Sequence, residues 1–366
     1  MKVDGRAYRT IWPAADGWSI EVIDQTRLPH EFRTLRLTTL AQAAHAITSM
    51  QIRGAPLIGV TAAYGVALAL REDASDESLD HAVAVLGATR PTAVNLHWAL
   101  GEMSTCLRKL ARGERVAGAY AKVAELCEQD VRINRGIGEH GLRLFQEAFA
   151  RKGGSGPLKV LTHCNAGWLA CVDWGTALAP IYLAHDAGMP LQIWVDETRP
   201  RNQGALTAWE LQSHGVPHRV IVDNAGGHLM RAGEVDLCIV GTDRVAANGD
   251  VANKIGTYLK ALAAKDNGIP FYVALPGPTI DWGLKSGDEI PIEQRSEDEV
   301  LTVTGLMNGG AWNAVSPYPK GTRAANFGFD VTPARLVTAL ITERGVTPAN
   351  EAGLSRLYPE KTAKPS

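Results

Sequence analysis

The chain has 366 residues, of which 45% are hydrophobic and 21% are charged, and its formal net charge is -2. These values are typical of a soluble globular protein, and they exclude a strongly basic surface that would attract nucleic acid or an anionic membrane. A small-molecule ligand is therefore expected, and the chain length predicts two domains.

The N-terminal sequence and the cysteines bear on cellular location. The first residues, MKVDGR, lack the apolar segment of a secretion signal. The uncharged, strongly apolar run from Gly54 to Leu70 is interrupted by Pro56 and predicts a buried helix rather than a membrane span. The five cysteines have no CxxC spacing, which argues against a disulfide framework and a zinc site. A reducing, cytoplasmic location is predicted.

Residues 1–151 are predicted to form a mostly helical domain with a small antiparallel sheet. Alternating apolar residues indicate short strands at Tyr8–Pro13 and Trp18–Asp24. Alanine and leucine then recur at spacings of three and four. This pattern predicts helices over Leu40–Met50, Pro56–Leu70, Leu79–Gly87, Pro91–Leu110 and Val116–Phe145.

A turn-rich segment that begins at Lys152 predicts a boundary to a second domain over residues 152–346. Strands are predicted at Lys159–His163, Leu191–Val195, His218–Val222, Val235–Val240 and Ile269–Leu275, with helices between them. Repeated βα units predict right-handed crossovers and a parallel sheet covered on both faces. Residues 347–366 are predicted to form a polar, frayed tail.

Polar clusters follow the first four predicted strands of this sheet. They cover Thr162–Gly167, Asp196–Gly204, Asp223–Gly227 and Gly241–Asp250. Turn chemistry explains the glycines and asparagines, but it does not explain the accumulation of ionisable side chains. Because the carboxyl ends of parallel strands share one edge of a sheet, we expect one ligand pocket there.

Cys164 and Asp243 are the candidates for chemistry in these clusters. Cys164 precedes a predicted helix, whose first N–H groups would favour a thiolate; an inert core thiol is the equally simple alternative. Asp243 would ordinarily be a helix cap or an ion-pair partner of Arg244. Its place on the same edge as Cys164 favours catalysis. The other cysteines, Cys106, Cys127, Cys171 and Cys238, lie in apolar segments and are predicted to be inert.

Further polar residues on this edge have predicted structural or binding roles. A helix is expected from Val251 to Ala264, with Asp250 as its N-cap. Lys254 would lie one turn into that helix, and its asparagine neighbours suggest a ligand contact. The loop residues Asp196, Glu197 and Arg199 are predicted to form ion pairs with one another that hold their loop.

Two helix starts in the first domain are candidate anion sites. Arg53 and two small residues precede Pro56, and Arg90 precedes the fourth predicted helix, which begins at Pro91. Free N–H groups and the helix dipole at such starts attract phosphate. With Lys254, these arginines form a phosphate-binding hypothesis.

The histidines give little support to metal or nucleophile chemistry. His163 should point to the opposite face of its strand from Cys164, which weakens a Cys–His dyad. His228 lies near the predicted edge, and its role stays open. The sequence contains no HExxH, P-loop, GxGxxG or GxSxG motif, so protease, nucleotide-binding and hydrolase interpretations lack support.

Four ordered motifs resemble the methylthioribose-1-phosphate isomerase family, and the resemblance covers nearly all of the chain. They are Arg53–Pro56, Thr162–Gly167, Asp196–Pro200 with Gln203 and Gly204, and Gly241–Tyr258. The resemblance continues through Ile292–Arg295, Phe329–Pro333 and Ile341–Gly345. The same superfamily includes ribose-1,5-bisphosphate isomerases and the regulatory subunits of initiation factor 2B.

The resemblance implies a fold, a reaction and a set of site residues. The implied fold is an N-terminal mostly helical domain and a C-terminal Rossmann-like α/β domain, assembled as a homodimer. The implied reaction is aldose-to-ketose isomerisation of a sugar phosphate in methionine salvage, without metal or nicotinamide. Cys164 and Asp243 match the catalytic pair of the family. Its substrate-binding positions match Arg53, Gly54, Ala55, Arg90, Gln203, Asn253 and Lys254.

Two segments depart from the family pattern. Trp168 and Trp174, with Cys171, Val172 and Asp173 between them, follow the Cys164 motif, and Gly226–His228 forms an unusual loop. Both segments are expected to shape the pocket around the 5-substituent of the sugar. Isomerases of 5-deoxyribose 1-phosphate or ribose 1,5-bisphosphate are therefore alternatives. A non-enzymatic regulatory subunit is a third, and the presence of both Cys164 and Asp243 argues against it.

Overall fold

Helices fill most of the first 151 residues and alternate with strands in the remainder, in a computed structural model that describes residues 1–308 and 310–362. The helices are α1 (Leu40–Thr48), α2 (Ala55–Glu72), α3 (Asp76–Gly87), α4 (Val94–Leu107), α5 (Arg115–Arg151), α6 (Ala179–Asp186), α7 (Gly204–His214), α8 (Ala225–Arg231), α9 (Thr257–Asp266), α10 (Asp298–Leu301), α11 (Glu351–Leu357) and α12 (Pro359–Thr362).

The strands are β1 (Lys2–Val3), β2 (Arg6–Ala7), β3 (Ile11–Pro13), β4 (Ile20–Ile23), β5 (Thr34–Leu37), β6 (Leu158–Thr162), β7 (Leu191–Asp196), β8 (His218–Ile221), β9 (Leu237–Val240), β10 (Arg244–Ala246), β11 (Val251–Lys254), β12 (Phe271–Ala274), β13 (Ile280–Asp281), β14 (Val303–Leu306), β15 (Trp312–Val315), β16 (Phe329–Thr332), β17 (Ala339–Thr342) and β18 (Gly345–Thr347).

Helix α2 is the central helix of the N-terminal region. Every residue from Leu57 to Leu70 is buried, because apolar side chains surround the helix instead of forming one stripe. It packs against α1, α3, α4 and α5. Strands β3, β4 and β5 form an antiparallel sheet beside these helices, so the predicted small sheet gains a third strand. In the described part of the chain, none of the helices has the length and apolar character needed to cross a membrane.

The largest sheet has seven strands in the order β18-β17-β12-β9-β6-β7-β8. Strands β17 to β8 in this order are parallel, and β18 adds an antiparallel edge. Apolar clusters cover both of its faces. The predicted α/β fold class is confirmed, and the five predicted strands of this sheet all form.

Successive strands of the large sheet are added first on one side of β6 and then on the other. The chain runs through β7 to β8 on one side, and then continues from β9 through β12 to β17 on the other side. The gap between β6 and β9 is thus a switch point, where open α/β sheets bind ligands. Cys164 lies two residues beyond the end of β6, and Asp243 lies three residues beyond the end of β9. The two candidate residues therefore flank the switch point.

The predicted helix from Val251 to Ala264 is wrong in its first half. Residues 251–254 form β11, which pairs with β10 and β16 in a four-stranded sheet. Gly256, at φ +102°, ends the extended segment, and α9 begins only at Thr257. Asp250 is not a helix cap, because its carboxylate accepts hydrogen bonds from Gly287 N and Ala334 N. The buried strand β11 contains only two apolar residues, Val251 and Ala252, and their spacing continues that of α9, so periodicity did not separate the strand from the helix.

The predicted frayed tail is also wrong for the residues that the structure describes. Thr347 belongs to β18, and α11 packs Leu354 fully into the core. The side chain of Asn350 caps α11 by accepting a hydrogen bond from Gly353 N. Residues 363–366 of the predicted tail lie outside the described residues.

Candidate active site

A cavity of about 680 Å³ opens at the carboxyl ends of β6, β7 and β9. All nine predicted site residues line this one cavity. They are Arg53, Gly54, Ala55, Arg90, Cys164, Gln203, Asp243, Asn253 and Lys254. The sulfur and the carboxyl group that were predicted to act together thus face the same space.

Cys164 occupies a tight turn directly after β6. Its backbone is left-handed, with φ +68°, which is unfavourable for a residue with a Cβ atom. Two threonine hydroxyls hold this conformation. Thr198 Oγ1 accepts from Cys164 N at 2.8 Å, and Thr207 Oγ1 donates to Cys164 O at 2.7 Å. The turn therefore presents the thiol to the cavity in a fixed direction.

The expected thiolate at a helix start is not supported. A single 3-10 turn, Trp168–Ala170, follows the cysteine loop, and α6 begins only at Ala179. Burial raises the pKa of the Cys164 thiol, and the positive charges of Lys254 and Arg53 only partly oppose this effect. A neutral thiol is therefore favoured in the free protein.

Asp243 follows β9 and is held by its backbone, since Asp243 N donates to Ala252 O at 3.0 Å. It is neither a helix cap nor the partner of Arg244, which pairs with Asp281 at 3.4 Å. Burial raises the pKa of the Asp243 carboxyl, against the opposing charges of Lys254, Arg90 and Arg53. Burial thus favours the neutral acid that can donate a proton.

Lys254 lies on β11 rather than on a helix, and its side chain is only 8% exposed. Its ammonium group lies 5.0 Å from the centre of the Phe329 ring, a cation–π contact. Burial lowers the pKa of Lys254, whereas the negative charges that Cys164 and Asp243 can carry raise it. The ammonium is therefore electrostatically coupled to both candidate catalytic groups. The neighbouring Asn253 donates its amide to Thr257 Oγ1 at 3.0 Å.

The start of α2, the first of the two predicted anion sites, borders the cavity. Gly54 has φ +100°, and a Cβ atom there would lie 2.4 Å from Ala170 Cα, so this position requires glycine. Arg53 Nη2 donates to Asn165 O at 2.7 Å, and Arg53 Nη1 donates to Asn165 Oδ1. The guanidinium is thus anchored beside the free N–H groups of the helix start.

Arg90 approaches the same cavity from the turn before α4. That helix begins at Val94 rather than at Pro91, and the intervening turn is closed by a hydrogen bond from Ala93 N to Arg90 O. The side chain of Arg90 contacts Met50 Sδ at 3.5 Å. Burial lowers the pKa of Arg90, partly against the charges of Glu293 and Asp243, and the binding of an anion would offset this cost of burial.

Gln203 and Gln25 carry buried amide oxygens that lack hydrogen-bond partners among the described residues, and both side chains line the cavity. Gln203 was predicted as a binding residue, whereas Gln25 was missed. The Gln25 amide nitrogen donates to Leu169 O at 2.7 Å. Unpaired buried acceptors in a ligand cavity fit the hydroxyl donors of a sugar.

His163 also lines the cavity, but its ring nitrogens belong to a buried hydrogen-bond network. Its Nδ1 lies 2.8 Å from Asp196 Oδ2, and its Nε2 lies 2.9 Å from Ile255 O, so neither nitrogen is available to Cys164. His163, Asp196 and Asp223 place possible metal-ligand atoms within 4.8 Å of one another. Lys260 Nζ lies 3.3 Å from Asp196 Oδ2 and already supplies a positive charge at that carboxylate.

Asp196, Glu197 and Arg199, which the structure describes, do not form the predicted ion pairs with one another. Asp196 pairs with His163 and Lys260 instead. The Arg199 guanidinium donates to the carbonyl oxygens of Val300 and Thr302. The structural interpretation of this loop is right, but its partners come from distant segments that the sequence pattern could not identify.

The segments that depart from the family pattern mostly lie away from the cavity. Trp168 is 1% exposed, and its ring lies 6.0 Å from that of Trp209 in the core. Asp173 pairs with the N-terminal amine at 2.8 Å, and Trp174 lies under the guanidinium of Arg135. Val172 is also buried in the core, whereas Cys171 lines the cavity. Gly226–His228 belongs to α8 and is not part of the cavity wall. The expectation that both segments shape the pocket is wrong except for Cys171.

Sequence comparison places these observations in a known family. Residues 51–349 match the Initiation factor 2 subunit family. Methylthioribose-1-phosphate isomerase of Rhodospirillum rubrum is 61% identical over 371 aligned positions that cover 100% of this chain and 95% of the relative. The corresponding protein of Methylorubrum populi is 62% identical over 99% of both chains. The chain belongs to the methylthioribose-1-phosphate isomerase family.

Solved structures agree with this assignment. The 5-methylthioribose 1-phosphate isomerase from Pyrococcus horikoshii superposes with a TM-score of 0.83 at 37% identity, and 97% of each chain is covered. A structure described as translation initiation factor eIF-2B, subunit delta, from A. fulgidus has a TM-score of 0.80 at 36% identity, with 96% of this chain and 100% of that chain covered. The predicted family and enzyme class, an aldose–ketose isomerase, are confirmed.

Proposed function

We propose that this protein converts 5-methylthioribose 1-phosphate into 5-methylthioribulose 1-phosphate in methionine salvage, with Cys164 and Asp243 as the catalytic pair. The observation that carries the proposal is their convergence, with three cationic side chains, on one cavity at the switch point of the sheet. A parallel-sheet edge of this kind positions reactive groups from separate strands on one small molecule.

Asp243 supplies the proton that opens the sugar ring. A sugar with phosphate on C1 cannot open to a free aldehyde, so the ring oxygen must be protonated as its bond to C1 breaks. Burial raises the pKa of the Asp243 carboxyl, which keeps a proton available for this step. Water must also be excluded from the charged intermediate, and the bound sugar would displace it from the cavity.

Cys164 acts on a different step, the transfer of hydrogen from C2 to C1. In one route the Cys164 thiol first loses its proton to solvent. The thiolate then takes the proton from C2, which leaves an enol phosphate, and returns that proton to C1. In the other route a hydride moves directly from C2 to C1, and Cys164 shapes the transition state. The reaction in deuterated water tests the first route, because deuterium at C1 of the product requires the enol phosphate. Its absence fits either the hydride route or a shielded sulfur that returns the same proton to C1.

The phosphate is held by Arg53, Arg90 and Lys254 together with the N–H groups at Gly54 and Ala55. Guanidinium groups suit phosphate because their planar donors match its oxygens. Gln203 and Asn253 then bind the sugar itself. Binding energy from these contacts orients the reacting carbons between the sulfur and the carboxyl group.

The methylthio sugar suits the cavity better than a bisphosphate. Three further arginines line the cavity, but the charges of two of them are already paired with carboxylates. Arg199 donates to backbone carbonyls, Arg201 pairs with Glu299, and Arg244 pairs with Asp281. Apolar side chains, including Met50, Ile292 and Trp312, line the same space. A 5-methylthio group would contact them without loss of hydrogen bonds.

An assay of the three candidate sugar phosphates tests this function. We expect the highest kcat/KM with 5-methylthioribose 1-phosphate, a lower value with 5-deoxyribose 1-phosphate and the lowest with ribose 1,5-bisphosphate. A preference for either alternative would refute the substrate assignment. No turnover of any of the three would favour the regulatory subunit.

We propose in addition a homodimer in the cytoplasm, as the family resemblance implies. Val220 in β8 and Val222 just beyond it are 52% and 60% exposed at the edge of the large sheet, and an unpaired apolar edge supports association of two copies. The five free cysteines fit a reducing compartment. Sedimentation equilibrium should give twice the mass of one chain, and Val220→Lys should lower the measured mass towards that of a single chain. A monomeric wild-type protein would refute the dimer.

The domain division at residues 151 and 152 is likewise a proposal. Helix α5 ends at Arg151, and the exposed segment that follows contains three glycines at positive φ before β6 begins at Leu158. Limited proteolysis should cut first within residues 152–157. A first cut inside the long helix α5 would contradict this boundary.

A further inference from the structure

A buried carboxylate lies behind the cavity wall and contacts the cysteine loop. Glu210 in α7 is 1% exposed and does not line the cavity. Its two oxygens accept four hydrogen bonds. The donors are Asn165 Nδ2 at 2.9 Å, Trp168 N at 3.0 Å, Leu169 N at 3.1 Å and Tyr182 Oη at 2.7 Å. Burial raises the pKa of the Glu210 carboxyl, and the hydrogen bonds from Asn165, Tyr182 and Leu169 oppose this rise. The geometry supports the ionised form, because a carboxylate that only accepts satisfies all four donors at once.

This arrangement fixes the orientation of the Asn165 side chain. The amide nitrogen of Asn165 donates to Glu210 Oε1 and also to Thr207 Oγ1 at 3.1 Å. The amide oxygen must then point the other way, where it accepts a hydrogen bond from Arg53 Nη1. A flipped amide would direct its N–H groups at the guanidinium, which cannot accept them.

The same network reaches the catalytic candidate. Thr207 lies one helical turn before Glu210 in α7, and its hydroxyl accepts from Asn165 and donates to Cys164 O at 2.7 Å. One helix thus supplies two buried side chains that hold neighbouring residues of the cysteine loop. Gly167 is required beside them, because a Cβ atom there would lie 1.8 Å from a Glu210 carboxylate oxygen.

We propose that Glu210 is a positioning residue that orients the Arg53 guanidinium for the substrate phosphate by fixing the Asn165 amide. The inference rests on the proposed function only for the role of Arg53 in binding phosphate. Glu210 itself does not touch the substrate. Its carboxylate acts through two successive hydrogen bonds, from Asn165 to Glu210 and from Arg53 to Asn165.

Glu210→Gln tests this role with almost no change of volume. The new NH2 group enters a site where four donors already converge, so at least one donor loses its acceptor and the Asn165 amide is free to turn. We expect about a tenfold rise in KM and in the dissociation constant of inorganic phosphate, with kcat changed by less than about threefold. Glu139→Gln, at an exposed position of α5, is the matched control and should change none of these constants.

The exchanged pair Asn165→Asp with Glu210→Gln provides a rescue. The new amide at position 210 would donate to the new carboxylate at position 165, which reverses the direction of that hydrogen bond but keeps the contact. The second oxygen of the new carboxylate would accept from Arg53, as the Asn165 amide oxygen does. We expect KM and phosphate binding within about threefold of the wild type. If Glu210→Gln does not fold, this double variant alone decides the test, and a tenfold loss of phosphate binding by the folded double variant would overturn the proposal.

A purely structural role predicts a different result. Glu210→Gln would then lower the melting temperature but leave KM and phosphate binding unchanged, and this outcome would also overturn the proposal. Phosphate binding is measured by calorimetry without turnover. It therefore tests the positioning role even if the protein fails to isomerise the sugar, so failure of the proposed function is distinguishable from failure of this inference.

Discussion

The two sides of the cavity contribute different kinds of side chain. The helical region supplies Arg53 and Arg90, each placed before a helix, and arginine keeps its charge at all relevant pH values. The edge of the large sheet supplies Cys164 and Asp243, whose protonation can change and whose pKa values are both raised by burial. We therefore propose a division in which the helix starts, together with Lys254 of β11, bind the phosphate and the ends of β6 and β9 carry out the chemistry.

The largest expected effects come from the sheet side. Cys164→Ser and Asp243→Asn should each lower kcat about a hundredfold or more, because each removes a group that acts on hydrogen in the reaction. Circular dichroism should show an intact fold. Cys106→Ser and Asp266→Asn are the matched controls outside the cavity, and both should keep normal kcat. Normal kcat in both catalytic variants would refute the catalytic role of the strand ends.

A variant on the helical side should affect binding instead. Arg90→Ala is expected to raise KM by about tenfold or more, because a charged hydrogen bond to phosphate is lost. The change in kcat should be much smaller, since the reacting groups stay in place. Steady-state kinetics measure both constants. An unchanged KM would show that Arg90 does not bind the phosphate. A loss in kcat as large as the rise in KM would show that Arg90 does not act on binding alone.

The smallest effect on activity is expected at a second buried acid. Burial raises the pKa of Asp130 in α5 to about 7, although Val172 N donates to its carboxylate at 2.7 Å. Asp130 lies outside the cavity wall, so Asp130→Asn should change kcat less than about twofold. Asp130 and Asp243 both have raised pKa values, but only Asp243 lines the cavity. The two variants therefore test whether position in the cavity, and not a raised pKa alone, determines the effect on kcat.

Asp130 should instead affect the pH dependence of stability. Its pKa in the folded state lies above the unfolded value of 3.8, so the folded state binds more protons and the free energy of unfolding falls as pH rises from about 4 to about 7. The whole pKa difference corresponds to a change of roughly 4 kcal/mol in the free energy of unfolding. Denaturant titrations at both pH values should show that Asp130→Asn removes most of this fall, and an unchanged pH dependence would refute the assignment.

Local patterns predicted the parts of the site that depend on strand ends and helix starts. The cluster after each predicted strand identified Cys164 and Asp243, and the sequence before α2 identified Arg53. Residues 251–264 were assigned to one helix because their apolar spacing suits a helix as well as a buried strand. Long-range pairing with β16 decided in favour of the strand.

Interactions between distant segments could not be predicted in this way. Glu210 contacts Asn165, 45 positions away, and nothing local to α7 indicates that its carboxylate serves the cysteine loop. A charged residue on the buried face of a helix was the available signal. Trp168 was assigned to the pocket because it follows Cys164, yet its neighbour in the core is Trp209. Sequence proximity to a catalytic residue does not define a cavity wall.

The central claim is that Cys164 and Asp243 act on one sugar whose phosphate is held by Arg53, Arg90 and Lys254. A crystal structure of the Cys164→Ser variant with 5-methylthioribose 1-phosphate tests it most directly. We expect the phosphate beside the three cations, with the residue 164 side chain and the Asp243 carboxyl both touching the sugar near C1 and C2. A sugar bound elsewhere, or one contacted by only one of the two side chains, would contradict the account.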